Sequence, residues 1–338
     1  FMGNLATLSG MSRDLYAAAY SWFGHMRGGL ASATITACAG FAALSGSSVA
    51  SAVTMGQVAL PEMKRFGYGA RLSTGCVAAG GTLGILIPPS TGFIVYAILT
   101  ETSIGKLFLA GMLPGILLAL LFILTIIVTT RLNPELGPPG PVRTLSDRLT
   151  SSAKAVPTLG IVLVTIGGIY SGIFTVSEAS GIGALLALLF ALYRRTLTWR
   201  TLQTALLNTM HTTAFVFLII IGAHVFAPFL ALSEIPQNLG AGIAALDLGR
   251  YGILAIILVC YIILGTFMEG FAILVLTLPI VDPLIRDFGF DPIWFGVVMV
   301  IVLEMGLISP PVGVNVFVVK GIAKDVPMGE IFKGILPF

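Results

Sequence analysis

The chain has 338 residues, 57% of them hydrophobic and only 10% charged, with a mean hydropathy of +1.01. That balance excludes a soluble globular domain and defines an integral membrane protein whose solvent is the lipid bilayer. The net charge of +3 comes from scattered Lys and Arg, in runs no longer than Lys64-Arg65 or Arg194-Arg195, so no nucleic-acid surface is expected.

Residues 13–26 are less apolar than a span and predict a helix lying along the membrane surface. Segments 29–45 and 47–61 fall short of the roughly 20 residues that a crossing needs, and together predict a re-entrant helical hairpin over 29–63. The stretch 70–100 can cross, but it carries Pro88-Pro89, where a continuous helix would lose hydrogen bonds that lipid cannot replace. A broken helix is expected there, followed by a span over 107–131. Residues 132–154, with Asn133-Pro134 and Gly137-Pro138-Pro139-Gly140-Pro141, form the extended polar linker. Spans follow at 155–175, 179–193 and 202–232. Next come a second surface helix at 235–248, a second hairpin over 252–285 and a second broken helix over 290–323 around Pro310-Pro311. The chain opens at Phe1 without a signal-peptide pattern and stops at Phe338, shortly into an apolar segment beginning near Ile331; it is expected to be a piece of a longer polytopic chain. Cys38, Cys76 and Cys260 have no paired spacing and are expected to be small buried hydrophobes.

A shift of 222 positions places Pro61 on Pro283, Phe66 on Phe288, Gly67 on Gly289, Gly84 on Gly306, and Pro88-Pro89 on Pro310-Pro311. An internal repeat is expected, with 1–131 and 233–338 as the two copies, 132–154 as a cytoplasmic linker and 155–232 as connecting scaffold spans. If the first hairpin enters from the cytoplasm, 15 of the 18 Lys and Arg are cytoplasmic and only Lys106, Arg250 and Arg286 are not. This requires the second hairpin to enter from the opposite face, so the repeats are inverted. The expected fold is thus an all-α polytopic membrane protein of inverted repeats, the pattern of a secondary transporter with its site near the midplane.

The first hairpin tip reads Leu44-Ser45-Gly46-Ser47-Ser48-Val49. Two half-helices meeting there offer free carbonyls to a cation and free N–H groups to an anion, and the break at Gly81 to Thr91 offers the same pair of ends. Small residues in membrane helices also serve close packing, and for Ser45, Ser47 and Ser48 the two readings stand level until the matched second tip is considered. That tip, Gly265-Thr266-Phe267-Met268-Glu269-Gly270, places Glu269 at membrane depth, as a cation ligand, a proton carrier or a backbone-bonded structural group. Glu304 is open to the same readings, whereas Glu178 after Thr175 fits ordinary helix capping. No Lys or Arg lies well inside an apolar segment, so the charge of an anionic substrate would be met by helix N-termini, hydroxyls and co-bound cations, which favours sodium coupling.

The segments Gly80-Gly81-Thr82-Leu83-Gly84-Ile85-Leu86-Ile87-Pro88-Pro89-Ser90, Ser45-Gly46-Ser47-Ser48-Val49-Ala50 and Gly306-Leu307-Ile308-Ser309-Pro310-Pro311-Val312-Gly313 carry a family likeness. With Leu60-Pro61-Glu62-Met63 and Gly321-Ile322-Ala323-Lys324 in support, the chain resembles, over essentially its whole length, the large membrane subunit of tripartite ATP-independent periplasmic (TRAP) transporters. The resemblance implies sodium-driven uptake by an elevator motion in the bacterial inner membrane, a small membrane subunit and a periplasmic substrate-binding protein as partners, and a small organic anion such as a C4-dicarboxylate or sialic acid as substrate. Carried over by position, it implies one Na+ site formed by Ser45, Gly46, Ser47 and Ser48 with Gly81, Thr82 and Gly84. A second would combine Thr266, Met268, Glu269 and Gly270 with Gly306, Ser309 and Gly313. Substrate would lie near Ser48, Pro89, Ser90, Thr91, Glu269, Pro311 and Asn315, Glu269 occupying a position where family members often carry Asp. The runner-up is a stand-alone sodium- or proton-coupled carboxylate transporter or antiporter. No Ser-His, His-Glu-x-x-His or paired-Asp arrangement at depth points to an enzyme.

Overall fold

The computed structural model describes residues 1–233 and 249–338, so the surface helix expected at 235–248 lies outside the described residues. Among the described residues the chain is all α-helical, without strands. A short pair, α1 (Met2–Leu8) and α2 (Met11–Phe23), precedes the hairpin α3 (Gly29–Ser45) and α4 (Ser48–Arg65). The bent pair α5 (Ala70–Leu86) and α6 (Thr91–Thr100) follows, then α7 (Ile104–Leu132), α8 (Leu145–Tyr170), α9 (Val176–Tyr193) and α10 (Trp199–Leu232). After the undescribed segment come α11 (Gly249–Phe267) and α12 (Gly270–Asp287), α13 (Pro292–Ile308) and α14 (Val314–Ile322), and α15 (Met328–Ile335). Among the described residues five helices are long and apolar enough to cross a membrane, and a sixth crossing results if α5 and α6, bent by 42°, count as one span. The chain is a polytopic membrane protein.

Local sequence accounts for where the elements start and stop. Ser103, Thr144, Thr175 and Thr198 each accept a backbone N–H in the first turn of α7, α8, α9 and α10. At α8 the Thr144 hydroxyl and the Asp147 carboxylate close a reciprocal capping box, which begins the helix at Leu145. The polar stretch outside a long helix is therefore 133–144, shorter than the predicted 132–154, because the cap turns its second half into the first turns of α8. Glu178 does the same for α9 with Thr175, as the sequence indicates.

Helix α5 lies at the centre, buried along nearly its whole length against α3, α4, α7, α13 and α15. Small residues allow these approaches: a Cβ on Gly80 would fall 2.8 Å from Cys38 Sγ, and one on Gly75 would fall 2.2 Å from the Gly334 carbonyl oxygen. Cys38 and Cys76 are buried in this packing, but Cys260 is exposed on α11; a span must show some apolar face outward, and Cys260 lies on it. In the most apolar 18-residue window of α10 only 6% of the residues are buried, so its apolar sides face away from the described chain.

The boundaries of the two hairpin regions correspond. Helices α3 and α11 end at Ser45 and Phe267, α4 and α12 run Ser48–Arg65 and Gly270–Asp287, and α5 and α13 run Ala70–Leu86 and Pro292–Ile308, each matched pair differing by 222. Polar links cross between the regions at their outer ends. Lys64 Nζ meets Asp325 Oδ2 at 2.6 Å, while Arg286 donates to the Thr100 carbonyl at 2.9 Å. Because Lys64 falls on Arg286 under the shift, the last-turn cation of each hairpin reaches the far end of the other region's bent pair. Tyr96 also donates to the Pro292 carbonyl at 2.7 Å.

Gly75→Val should lower thermal stability in detergent by about 1–3 kcal/mol, since the new side chain meets backbone that cannot yield, whereas Gly160→Val, with open space around it, should leave the melting temperature unchanged. Helix α15 is tied to α5 by an Arg71–Glu330 pair, and the Arg71 hydrogen bond, then Lys333, hold the partly exposed Glu330 carboxyl at about 2. A depressed carboxyl stabilises the fold above its ordinary value of 4.5 and loses that contribution as pH falls towards 2. Being solvent-screened, the effect is small: Arg71→Gln should flatten part of the decline in melting temperature over that acidic window and leave the profile near neutrality unaltered.

Candidate functional site

At the first tip, α3 closes on Gly46, whose φ of +62° is left-handed and whose added Cβ would lie 2.6 Å from the Pro89 carbonyl oxygen. Only glycine meets both conditions. Ser47 is extended and accepts from the Ala50 N–H at 3.3 Å, starting α4. The Gly46 carbonyl accepts from the Thr91 hydroxyl at 2.7 Å and from the Thr91 N–H at 3.3 Å. The sequence leads one to expect free carbonyls at this tip; this one is taken up by the outgoing half of the bent pair. Ser90, fully buried, caps that half by accepting from the Phe93 N–H at 3.1 Å.

The first turn of α4 lies directly on α5. A Cβ on Gly81 would sit 3.2 Å from the Ser48 carbonyl oxygen, and one on Gly84 would sit 2.4 Å from the Ser47 carbonyl oxygen and 2.5 Å from Ser51 Oγ. Ser45 and Ser51 share a hydrogen bond of 2.8 Å. The structure thus brings together Ser45, Gly46, Ser47 and Ser48 with Gly81, Gly84, Pro89, Ser90 and Thr91, and it adds Ser51, which sequence reasoning missed. The signal for Ser51 was its place four residues after Ser47, on the same helical face. Thr82, 2% exposed, donates its hydroxyl proton to the Ala79 carbonyl at 2.6 Å, which leaves only lone pairs to offer a ligand.

The second tip is built differently. Gly265 of α11 and Gly306 of α13 meet so closely that a Cβ on Gly306 would lie 2.5 Å from the Gly265 Cα. Thr266 spends its proton on the Ile263 carbonyl at 2.7 Å, and Ser309 spends its own on the Met305 carbonyl at 2.6 Å. Met268 closes the last turn of α11 through its N–H. Exposed Glu269 caps α12, its Oε2 accepting from the Phe271 N–H at 2.9 Å and the Ala272 N–H at 3.4 Å. That is the structural role left open by the sequence, and Oε1 is not used in it. Gly270 has open space around it, so packing does not require glycine there. Gly313, at φ +60°, caps α14 with its carbonyl accepting from the Val316 and Phe317 N–H groups. Asn315 is fully buried, and neither its Oδ1 nor its Nδ2 has a partner.

Among the described residues no hydrogen bond joins residues 265–270 to residues 309–315. The residue that falls on Thr91 is Gly313, which has no hydroxyl to make the matching link. Pro88 and Pro89 are covered while Pro310 and Pro311 are exposed, and both double prolines contain a cis bond. The donors gathered at both tips are hydroxyls, carbonyls and a single carboxylate oxygen. This hard, nearly neutral oxygen set suits an alkali cation and not a thiophilic metal. A cavity of about 400 Å³ lies beside the first break, bounded by Pro88, Pro89, Ile94, Phe108, Ile169 and Val176. Its lining is mainly apolar, which makes it a poor receptor for an anion.

Thr91→Val keeps the shape but deletes the hydroxyl on the Gly46 carbonyl. The expected result is amide hydrogen exchange over residues 44–51 accelerated roughly tenfold, with exchange in α10 unchanged.

Comparison with known proteins agrees with this architecture. The family model described as "Tripartite ATP-independent periplasmic transporter, DctM component" matches residues 1–338. The chain is 39% identical over 337 residues to the C4-dicarboxylate TRAP transporter large permease protein DctM of Pseudomonas aeruginosa, covering 99% of this chain and 78% of that protein. It is 33% identical to the sialic acid TRAP transporter large permease protein SiaM of Vibrio cholerae, with the same two coverages. To the isethionate TRAP transporter permease protein DctMQ of Oleidesulfovibrio alaskensis it is 34% identical, over all of this chain and 52% of that one. These relatives are named as transporter permeases and not as enzymes, and the chain belongs to the DctM-component family of tripartite ATP-independent periplasmic transporters.

Proposed function

We propose that this chain is the large permease of a sodium-coupled secondary importer for a small organic anion, working in the bacterial inner membrane. In this reading it receives the anion from a periplasmic binding protein and pairs with a small membrane subunit. The two hairpin regions are inverted repeats that move together as an elevator against a scaffold that includes α8, α9 and α10. The observation that carries the reading is the doubled arrangement of a hairpin tip set on an interrupted helix, with matching helix boundaries 222 residues apart. Each tip gathers helix ends and oxygen donors of the kind a midplane site would use. Support also comes from Thr82, Thr266 and Ser309, whose spent protons leave lone pairs for a cation. The relatives' named substrates, C4-dicarboxylates, sialic acid and isethionate, set the range of anions considered. The broadly exposed α10 offers a face for the small subunit.

The test is uptake into proteoliposomes holding this chain with its small subunit, supplied with the binding protein encoded beside it. Uptake should need both an inward sodium gradient and the binding protein. Uptake equally fast without the binding protein would instead identify a stand-alone carrier, and indifference to sodium would remove the coupling. Ser47→Ala and Thr266→Ala should each raise the half-saturating sodium concentration roughly three- to tenfold at near-normal protein yield; unaltered sodium titrations in both would reduce the tips to packing elements.

A further inference from the structure

A separate cavity of about 440 Å³ lies between α2, α3 and the N-terminal half of α8. It follows α2 from Leu15 to Phe23, about 12 Å at 1.5 Å per residue, and is lined on the α3 side by Ala37 and Gly40. Apart from the Trp22 indole, its only polar side chains are Thr36 and Ser152, and both are engaged: Thr36 donates to the Ser32 carbonyl at 2.9 Å, and Ser152 Oγ accepts from Trp22 Nε1 at 2.9 Å. Such a trough offers little to water, which needs two to four polar partners to be held. A long, thin, apolar occupant suits it.

The mouth of the trough is cationic. Arg148, one turn before Ser152 on α8, lays its guanidinium 5.5 Å over the Trp22 ring, while its Nε is buried without a hydrogen-bond partner. Arg143 lies 5.7 Å over the Tyr20 ring. Two backbone hydrogen bonds, from the Gly28 N–H to the Gly137 carbonyl and from the Gly140 N–H to the Gly24 carbonyl, hold the loop that carries Arg27 against the approach to α8. None of these three arginines enters an ion pair among the described residues. The acids of α2 and α8 are already engaged, Asp14 with Arg194 and Asp147 in the α8 cap, and α3 has none. An indole under a guanidinium at the entrance to an apolar trough suits a membrane–water boundary, where each group keeps its polar part wet and its apolar part covered.

We propose that this trough binds one acyl chain of an anionic phospholipid, with Arg148 meeting the phosphate and Arg143 and Arg27 adding to the positive field around it. The apolar walls select a chain, and the unpaired cations at one end select an acidic headgroup over a zwitterionic one. Because α3 begins the first hairpin and α8 belongs to the scaffold, the lipid would sit between a moving and a fixed part, and that meaning rests on the transporter reading above. The binding itself does not.

The test reads binding and needs no transport. Trp199→Phe with Trp294→Phe leaves Trp22 as the sole indole of the chain. The purified full chain in detergent is titrated with phosphatidylglycerol or phosphatidylcholine brominated on an acyl chain, and quenching of Trp22 is followed. Phosphatidylglycerol should quench saturably, at a half-saturating mole fraction roughly fivefold or more below that of phosphatidylcholine. Arg148→Gln should raise the phosphatidylglycerol value roughly fivefold and hold the phosphatidylcholine value within about twofold, while Lys106→Gln at the start of α7 should change neither. Gly40→Leu fills the trough from α3, where an added Cβ meets only Leu15 methyls at 3.5 and 3.7 Å, and should remove the saturable quenching by both lipids. Equal half-saturation for the two lipids, an unchanged preference in Arg148→Gln, or parent-like saturation in Gly40→Leu would each overturn the proposal. So would displacement of the lipid by millimolar glycerol 3-phosphate, the mark of a soluble-anion site, or by the purified small membrane subunit, the mark of a protein seat. Should Gly40→Leu not fold, Arg148→Gln and the comparison of the two lipids decide alone. A failure of sodium-dependent uptake with the quenching pattern intact would count against the transporter reading and leave the lipid site standing.

Discussion

A helix interrupted inside a bilayer leaves N–H and C=O groups that no lipid can satisfy, and the arrangement of this protein follows from how it meets that demand. Prolines at the breaks remove donors that would otherwise be stranded. Ser47, Ser90 and Glu269 return an acceptor to the first N–H groups of the outgoing half-helices. The Gly46 carbonyl is met by Thr91 from the neighbouring break. Among the described residues, buried side-chain atoms of Glu304 and Asn315 near the second break are left without a partner.

Such economy requires backbones to lie nearly in contact, and glycine makes that possible. Gly81 and Gly84 admit the first turn of α4, Gly265 and Gly306 admit each other, and Gly75 and Gly334 seat α15 on α5. Because lipid is as apolar as the side chains it competes with, these contacts must be won by dispersion between well-fitted surfaces, and a single methyl in the wrong place forfeits them. The same closeness puts polar groups of one region within reach of the other, so the hairpins are tied crosswise by Lys64 and Asp325 on one side and by Arg286 and Thr100 on the other.

The two tips are alike in outline and unlike in how firmly they are held. Thr91 pins the first, and the corresponding Gly313 has nothing with which to pin the second. A covered break beside a fastened tip and an exposed break beside a freer one leave the two tips with different local stability.

By itself, the sequence determined that the chain lives in a membrane, that it breaks two helices at double prolines, and that two hairpins precede those breaks, because composition, segment length and the Gly and Pro pattern act over a few residues at a time. The break at Pro88-Pro89 and the tip at Ser45 to Ser48 were legible for that reason. The early start of α8 was present in Thr144 and Asp147, yet the Pro- and Gly-rich approach to it masked the cap. Tertiary structure alone decided that Ser51 joins the first tip, that Cys260 faces outward, that the Gly46 carbonyl is already engaged, and that Glu304 is buried. Each of these depends on which faces of distant helices touch, and such contacts are set by packing across hundreds of residues, on which local sequence periodicity is silent.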